Sequence, residues 1–351
     1  MKLLIVTQKV DENDDVLGFF IGWIREFAKR FEKVTVICLK AGQYHLPSNV
    51  KVLSLGKERG LGKISYLFNF YKYVIGERKN YDAAFVHMNP KYVLLGWPIW
   101  KILGKTISLW YAHGHVTPML RIVDRLADIA FASTKEGYRL NSAKLKIVGQ
   151  GIDTELFKPR MSNKGSGDEL LIVSAGRITP SKDYETLIKA TEVLKKDNAN
   201  FQIAIAGQPA TEKDFLYFEE LKQMIKEKKM ESTFWFIGPI ANKNLPPFLQ
   251  SADLFVNMGH TGSLDKAVLE AMACGLLLLT CNEAFGDVLG SYRDQLMYPK
   301  KDFQMLAGKI KYLIHLSEEE REKITRDLRE TVVYHHNLKG LITKITSILN
   351  G

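Results

Sequence analysis

Three short stretches of the chain hold residue types that can do chemistry. The first is Gly176-Arg177-Ile178-Thr179-Pro180-Ser181-Lys182-Asp183. Gly176 lets the backbone turn sharply. Arg177 offers a planar fork of donors and Lys182 a compact positive charge. Both sit beside an expected helix start, which itself attracts anions. That combination suits a diphosphate. The plainer alternative is Ser181 as a helix cap, with Arg177 and Lys182 solvated.

The second stretch is Gly259-His260-Thr261-Gly262-Ser263-Leu264-Asp265-Lys266, which runs on through Glu270 to Gly275. Its small residues let a ligand approach the backbone, and the helix that follows presents free N–H groups. Glu270, more than a turn into that helix, can accept bonds from two vicinal hydroxyls such as those of a ribose. Equally, Asp265 is a good N-cap, and Lys266 with Glu270 makes an i,i+4 pair of the kind common on surfaces. The third stretch is Trp110-Tyr111-Ala112-His113-Gly114-His115. A histidine there can bond a substrate hydroxyl or steady developing charge. The spacing of His113 and His115 lacks a companion carboxylate or cysteine cluster, so no metal is expected. His87, Asn89 and Pro90 end the preceding strand and line the same cleft in this reading. His335 and His336 lie among polar residues and read as surface.

Short β-branched runs alternate with helical patterns and place all three stretches after strands. Strands are expected at Lys2–Thr7, Val34–Leu39, Val50–Leu55, Ala83–His87, Thr106–Tyr111 and Ile129–Ala132. The pattern restarts with strands at Leu170–Ala175, Phe201–Ala206, Thr233–Ile237, Leu254–Asn257 and Leu276–Thr280. A helix over Val16–Phe31 puts Phe20, Trp23, Ile24, Phe27 and Phe31 at three- and four-residue steps. Further helices are expected at Ser181–Lys196, Glu212–Lys228, Leu245–Ser251, Lys266–Cys274, Asp302–Leu316 and Leu338–Leu349. Lys158–Gly167 shows no periodicity and reads as a linker. Continuous apolar strands such as Leu276–Leu279 are what buried parallel sheets need. The reading is α/β, two doubly wound domains in tandem, with ligands at the carboxyl ends of the strands.

Composition agrees. The chain has 351 residues, beyond the roughly 250–300 at which single cores stop growing. Its 46% hydrophobic and 25% charged shares are ordinary globular values and exclude disordered and collagen-like classes. Cys38, Cys274 and Cys281 fit neither a disulfide framework nor a zinc site, which points to core thiols in a reducing compartment. The apolar run at Met1–Thr7 is too short for a signal segment, and no stretch is apolar enough to span a membrane, so a cytoplasmic protein is expected. Residues 1–160 hold 25 Lys+Arg against 14 Asp+Glu, a net of +11, while residues 161–351 are nearly balanced. The basic half suggests an anionic partner. No DNA- or RNA-binding motif accompanies it, so nucleic acid ranks last. No Walker loop, nucleophile elbow or dinucleotide fingerprint is present.

Taken together, the three loops resemble the retaining glycosyltransferases of family 4. The resemblance runs over nearly the whole chain, through Gly149-Gln150-Gly151-Ile152-Asp153-Thr154-Glu155-Leu156-Phe157-Lys158-Pro159, Gly176-Arg177-Ile178 with Lys182, and Leu269-Glu270-Ala271-Met272-Ala273-Cys274-Gly275. It implies a GT-B fold, two Rossmann-like domains facing a cleft. Residues 1–160 would take the acceptor and residues 168–335 the donor, with the last helix, about 338–350, returning to the N-terminal domain. It also implies a UDP- or GDP-linked hexose-type donor, a glycan or polyprenyl-linked acceptor in cell-surface polysaccharide synthesis, and no metal or other cofactor. Arg177 and Lys182 look like the diphosphate ligands, Glu270 like the ribose ligand, and His113 is similar to the histidine beside the transferred sugar. Gly238 would help form the base pocket, and Gly176, Gly262, Ser263, Leu264 and Lys266 fall on the donor side.

There are departures. The family pairs Glu270 with an earlier glutamate; that position is Gly262 here, and the nearest acid, Asp265, is expected to hold the sugar instead. The family's glycine pair after the first strand is absent. Gly18 is the nearest glycine, and Gly18, His87, Asn89 and His115 are the acceptor-side candidates. A nucleotide-binding protein of the same fold without transfer is the alternative. Contact with anionic membrane is expected through the basic half and apolar groups such as Phe19, Phe20, Tyr66, Phe68 and Trp97.

Overall fold

The computed structural model describes residues 1–160, 169–196, 200–260 and 262–351. They divide into two compact units, Met1–Gly151 with Leu338–Gly351, and Ile152–Asn337. Residues 161–167 of the expected linker, and Thr261, lie outside the described residues.

The N-terminal unit holds seven strands: β1 (Lys2–Val10), β2 (Lys33–Ala41), β3 (Val50–Ser54), β4 (Ala83–His87), β5 (Thr106–Trp110), β6 (Ile129–Ala132) and β7 (Leu145–Ile147). All pair in parallel, in the order β3-β2-β1-β4-β5-β6-β7. Successive side chains of a strand face opposite ways, so each strand feeds two cores. Leu3 and Ile5 join one core with Phe20, Trp23 and Phe27 of helix Phe20–Ala28. Leu341, Ile342 and Ile345 of helix Leu338–Asn350 complete that core. Leu4 and Val6 join the other core, under helices Lys63–Gly76, Pro90–Ile102 and Pro118–Leu126.

The second unit holds β8 (Leu170–Ala175), β9 (Phe201–Ala206), β10 (Phe234–Gly238), β11 (Leu254–Asn257) and β12 (Leu277–Thr280). They are parallel in the order β10-β9-β8-β11-β12. Every residue of β11 and β12 is buried, which matches their unbroken apolar runs. In each sheet the strand order reverses beside the first strand, between β1 and β4 and between β8 and β11. Such switch points leave a crevice at the carboxyl ends of the strands.

Four expectations are corrected. The N-terminal unit ends at Gly151, not at 160, because the next residues pack into the other core. Ile152 N donates to His336 O at 2.8 Å, and Phe157 is buried with the C-terminal strands. His336, expected at the surface, is buried. The first helix begins at Phe20 rather than Val16. The Asp14 carboxylate accepts from Val16 N at 3.0 Å and Leu17 N at 2.6 Å and holds that stretch in a turn. Helix Glu318–His335 was not expected at all. Its signal was the capping box, in which Ser317 accepts from Glu320 N at 3.3 Å and the Glu320 carboxylate accepts from Ser317 N at 3.0 Å.

Candidate functional site

The ends of β8, β9 and β10 are stitched together by their glycines. Gly176 N donates to Ala206 O at 2.9 Å, and Gly207 N donates to Gly238 O at 2.8 Å. Gly176, Gly207 and Gly238 all have positive φ, at 147°, 148° and 81°. A Cβ on Gly207 would lie 1.9 Å from the Gly176 carbonyl oxygen, so only glycine lets the two strand ends approach this closely.

Lys182 closes a single 3-10 turn, Pro180–Lys182, after β8. Its stem lies against two glycines from either side of the switch point. A Cβ on Gly176 would fall 3.1 Å from Lys182 Cε, and one on Gly259 would fall 3.2 Å from Cδ. The ammonium ends in an ion pair with the Asp265 carboxylate, both side chains being mostly buried. Ser181 is exposed and caps nothing; helix Tyr184–Lys195 is entered through Asp183 at φ 50°. Arg177 is exposed beside this turn.

Asp265 does two things at once. Its Oδ1 accepts from Ala267 N at 3.3 Å and caps helix Lys266–Ala273. Its Oδ2 meets Lys182 Nζ and accepts from Asn257 Nδ2 at 3.1 Å. Asn257 Oδ1 in turn accepts from Thr280 Oγ1 at 3.0 Å. Gly262 is buried at φ 78°, and Ser263 O accepts from Asn282 Nδ2 at 2.8 Å. Leu264 sends its side chain into the core, so only its backbone can meet a ligand.

Glu270 is 4% exposed, and its Oε1 accepts from Asn242 Nδ2 at 2.8 Å. Asn242 follows Gly238 in the connection after β10, so the Gly238 loop and Glu270 are one construction. Burial pushes the Glu270 carboxyl up, and the nearby Lys266 ammonium counters it. Burial pushes Lys266 down, with Glu270 opposing. Glu270 is buried and Lys266 half-buried, so the two charges meet away from the open surface.

In the N-terminal unit, His113 and His115 are exposed after β5. His113 Nδ1 accepts from His115 N at 3.2 Å, which leaves the ring proton on Nε2 when the ring is neutral. The loop packed around its base takes part of the ring out of water and, with repulsion from His115, pushes its pKa below the usual histidine value. His113 is therefore a neutral Nε2–H donor near pH 7. His115 is held by Tyr111, whose hydroxyl donates to its carbonyl at 2.9 Å.

Of the other acceptor-side candidates, His87 and Gly18 are buried and Asn89 is half-buried as a helix cap. His87 is 2% exposed, stacked on Phe20 with ring centroids 4.1 Å apart, and its Nδ1 lies 3.3 Å from Thr7 Oγ1. Asn89 accepts from Lys91 N at 3.2 Å and caps helix Pro90–Ile102. Gly18 is buried, with the position of its absent Cβ 2.4 Å from Asp14 O. Sequence reasoning missed Gly207, Asn242, Asn257 and Thr280. For Asn257 and Thr280 the signal was a polar residue closing an otherwise apolar strand.

Residues 158–331 match the family model described as glycosyl transferases group 1. That span takes in Arg177, Lys182, Asp265 and Glu270. The C-terminal unit is a glycosyl transferase group 1 domain. Among curated relatives, the chain is 24% identical over 261 residues to the putative colanic acid biosynthesis glycosyltransferase WcaL of Escherichia coli, covering 71% of this chain and 63% of that one. It is 28% identical over 170 residues to mannosylfructose-phosphate synthase of Agrobacterium fabrum, covering 44% and 37%. The chain thus spans less than two thirds of the length of these relatives. Among solved structures, it superposes on Anabaena HepE in complex with UDP and glucose with a TM-score of 0.80 at 17% identity, over 100% of both chains. Sucrose-phosphate synthase from Thermosynechococcus elongatus gives 0.80 at 15%, over 100% and 98%. The fold around the group 1 domain is GT-B, with two Rossmann-like units.

Proposed function

We propose that the chain is a retaining glycosyltransferase that moves a hexose-type sugar from UDP or GDP to a glycan or lipid-linked acceptor, with no metal. The observation that carries this is the Lys182–Asp265 pair at the β8–β11 switch point, beside Arg177 and ahead of the Glu270 helix. Arg177 and Lys182 stabilise the departing diphosphate, supplying the positive charge that a metal would otherwise bring. Glu270, held by Asn242, takes the ribose. Asp265 meets the transferred sugar. The bond from the anomeric carbon to the diphosphate breaks with its electron pair going to the diphosphate oxygen, the acceptor oxygen bonds that carbon on the same face, and the acceptor hydroxyl's proton passes to the departing diphosphate.

Thermal shift with UDP, GDP and their hexose conjugates tests the reading. A ligand at a hundred times its Kd adds about 2.7 kcal/mol, a Tm rise of roughly 5–10 °C. Such a rise, with release of nucleoside diphosphate from the conjugate, is expected. A rise without release leaves a nucleotide-binding module, the reading that Gly262 favours. No rise with any nucleotide overturns both.

The partner surface is proposed to be anionic membrane, met by helix Lys63–Gly76. Among the described residues no helix is long and apolar enough to cross a bilayer. That helix exposes Ile64 (87%) and Phe68 (68%) on one face, beside exposed Lys63 and Lys72. Of the apolar groups expected to make this contact, Phe20 is buried, Phe19, Tyr66 and Trp97 are half-buried, and Phe68 is exposed. An apolar face flanked by lysines suits an interface with acidic lipid. Replacing both Ile64 and Phe68 by Glu is expected to abolish co-sedimentation with phosphatidylserine vesicles at low salt. Equal sedimentation of wild type and variant would place the contact elsewhere; none by either would point to a soluble acceptor.

A further inference from the structure

We infer that Asn257 is a positioning residue for the Asp265 carboxylate, and that the Thr280 hydroxyl fixes Asn257 in turn. The inference rests on the function proposed above. Asn257 closes β11 and Thr280 closes β12, and the two are register partners across the parallel ladder. Both are buried, Asn257 at 2% exposure. The hydrogen bonds between them run in one direction. Asn282 N donates to Thr280 Oγ1 at 3.1 Å, so the hydroxyl proton is available to Asn257 Oδ1, 3.0 Å away. With its oxygen so engaged, the Asn257 amide turns Nδ2 toward Asp265 Oδ2, 3.1 Å away. The flipped amide would set an acceptor against a carboxylate, so the chain has one consistent polarity. Bonds aligned this way strengthen one another.

The consequence falls on Asp265. Ala267 N holds one carboxylate oxygen and Asn257 holds the other, so the plane of the group is fixed. Lys182 joins the same Oδ2. A carboxylate held on both oxygens presents its remaining lone pairs in one direction, which a sugar contact made in the transition state requires. Lys182 is the charged half of that arrangement and Asn257 the neutral half.

A double-mutant cycle tests it, with kcat read as release of nucleoside diphosphate from a panel of UDP- and GDP-hexoses. Binding of UDP and GDP, which carry no sugar, is read separately. Asn257→Ala and Thr280→Val are each expected to lower kcat about tenfold while Kd for the sugarless nucleotide stays within about twofold, because a hydrogen bond to a charged group is lost only at the sugar. Thr280→Ser, which keeps the hydroxyl, restores kcat. Combined with Asp265→Asn, Asn257→Ala is expected to add nothing further, since residues acting as one unit are not additive. Effects that multiply in the double variant overturn the inference alone. So does a fall in kcat, nucleotide affinity and Tm together in both single variants, which would mark a merely structural chain. No release by wild type, or full activity in both Asp265→Asn and Arg177→Ala, brings down the proposed function and this inference with it.

Discussion

Arg177→Ala is expected to lower kcat/KM by roughly ten- to a hundred-fold and to leave Tm unchanged. The size follows from a charge-assisted bond to the diphosphate, worth about 1.5–3 kcal/mol and strongest as the leaving group gains charge. The unchanged Tm follows from position, because Arg177 is exposed and holds no structural bond to another described residue. Lys182→Ala is expected to cost at least as much, for a second reason. Removing the ammonium leaves the Asp265 carboxylate without its cation at the proposed diphosphate site, held by the Asn257 amide and the Ala267 N–H. A cation lost and an anion uncovered act in the same direction. Arg177→Lys, which keeps the charge but not the fork, should fall between wild type and alanine. Steady-state kinetics with a turned-over sugar nucleotide decides it. Unchanged kcat/KM in both alanine variants would remove the diphosphate from this loop.

The largest loss of stability is expected from Gly207→Ala. The residue sits at φ 148°, where a Cβ is strained by about 1–3 kcal/mol whatever surrounds it. Here the Cβ also meets the Gly176 carbonyl oxygen at 1.9 Å, and that oxygen belongs to backbone that cannot swing aside alone. Relief requires moving the turn that carries Arg177 and Lys182. The variant should therefore lose about 3 kcal/mol or more, a fall in Tm of roughly 5–10 °C, and bind nucleotide weakly. Gly238→Ala is the control. It too has positive φ, but nothing lies within 4 Å of its Cβ position, so it carries the strain without the clash. Thermal unfolding of the pair separates the two contributions. Equal Tm for Gly207→Ala and wild type would mean the strand ends are not held as close as described.

Strands β4, β6, β8, β9 and β11 fall at the residues their apolar runs indicate, because a buried parallel strand has little choice but an unbroken hydrophobic stretch. The three-residue edge strand β7 has too few residues to carry such a pattern. Helix Glu318–His335 buries only Ile324, Leu328 and Val332, one residue per turn among charges, so its period is hidden. At the site, Lys182 and Asp265 were legible singly, since each stands where a strand gives way to a helix. Their pairing was not, because it depends on β8 and β11 being neighbours in the sheet. The same holds for Asn257 and Thr280, which meet only through the register of β11 on β12. Gly207 is illegible for a related reason: its constraint is a carbonyl in another loop. His87 was misplaced because the run from Phe19 to Trp23 reads as one amphipathic helix, with nothing to say that its aromatic face closes over the end of β4.

The first core of the N-terminal unit draws Leu341, Ile342 and Ile345 from the far end of the chain. During synthesis those residues leave the ribosome after every residue of the second unit, Ile152–Asn337. The unit that starts first therefore finishes last. Until its closing helix arrives, Leu3, Ile5, Phe20 and Trp23 share an open apolar face, while the second unit already has its full sheet. The order of folding is thus the reverse of the order of synthesis: the unit that begins the chain is completed only by the helix that ends it.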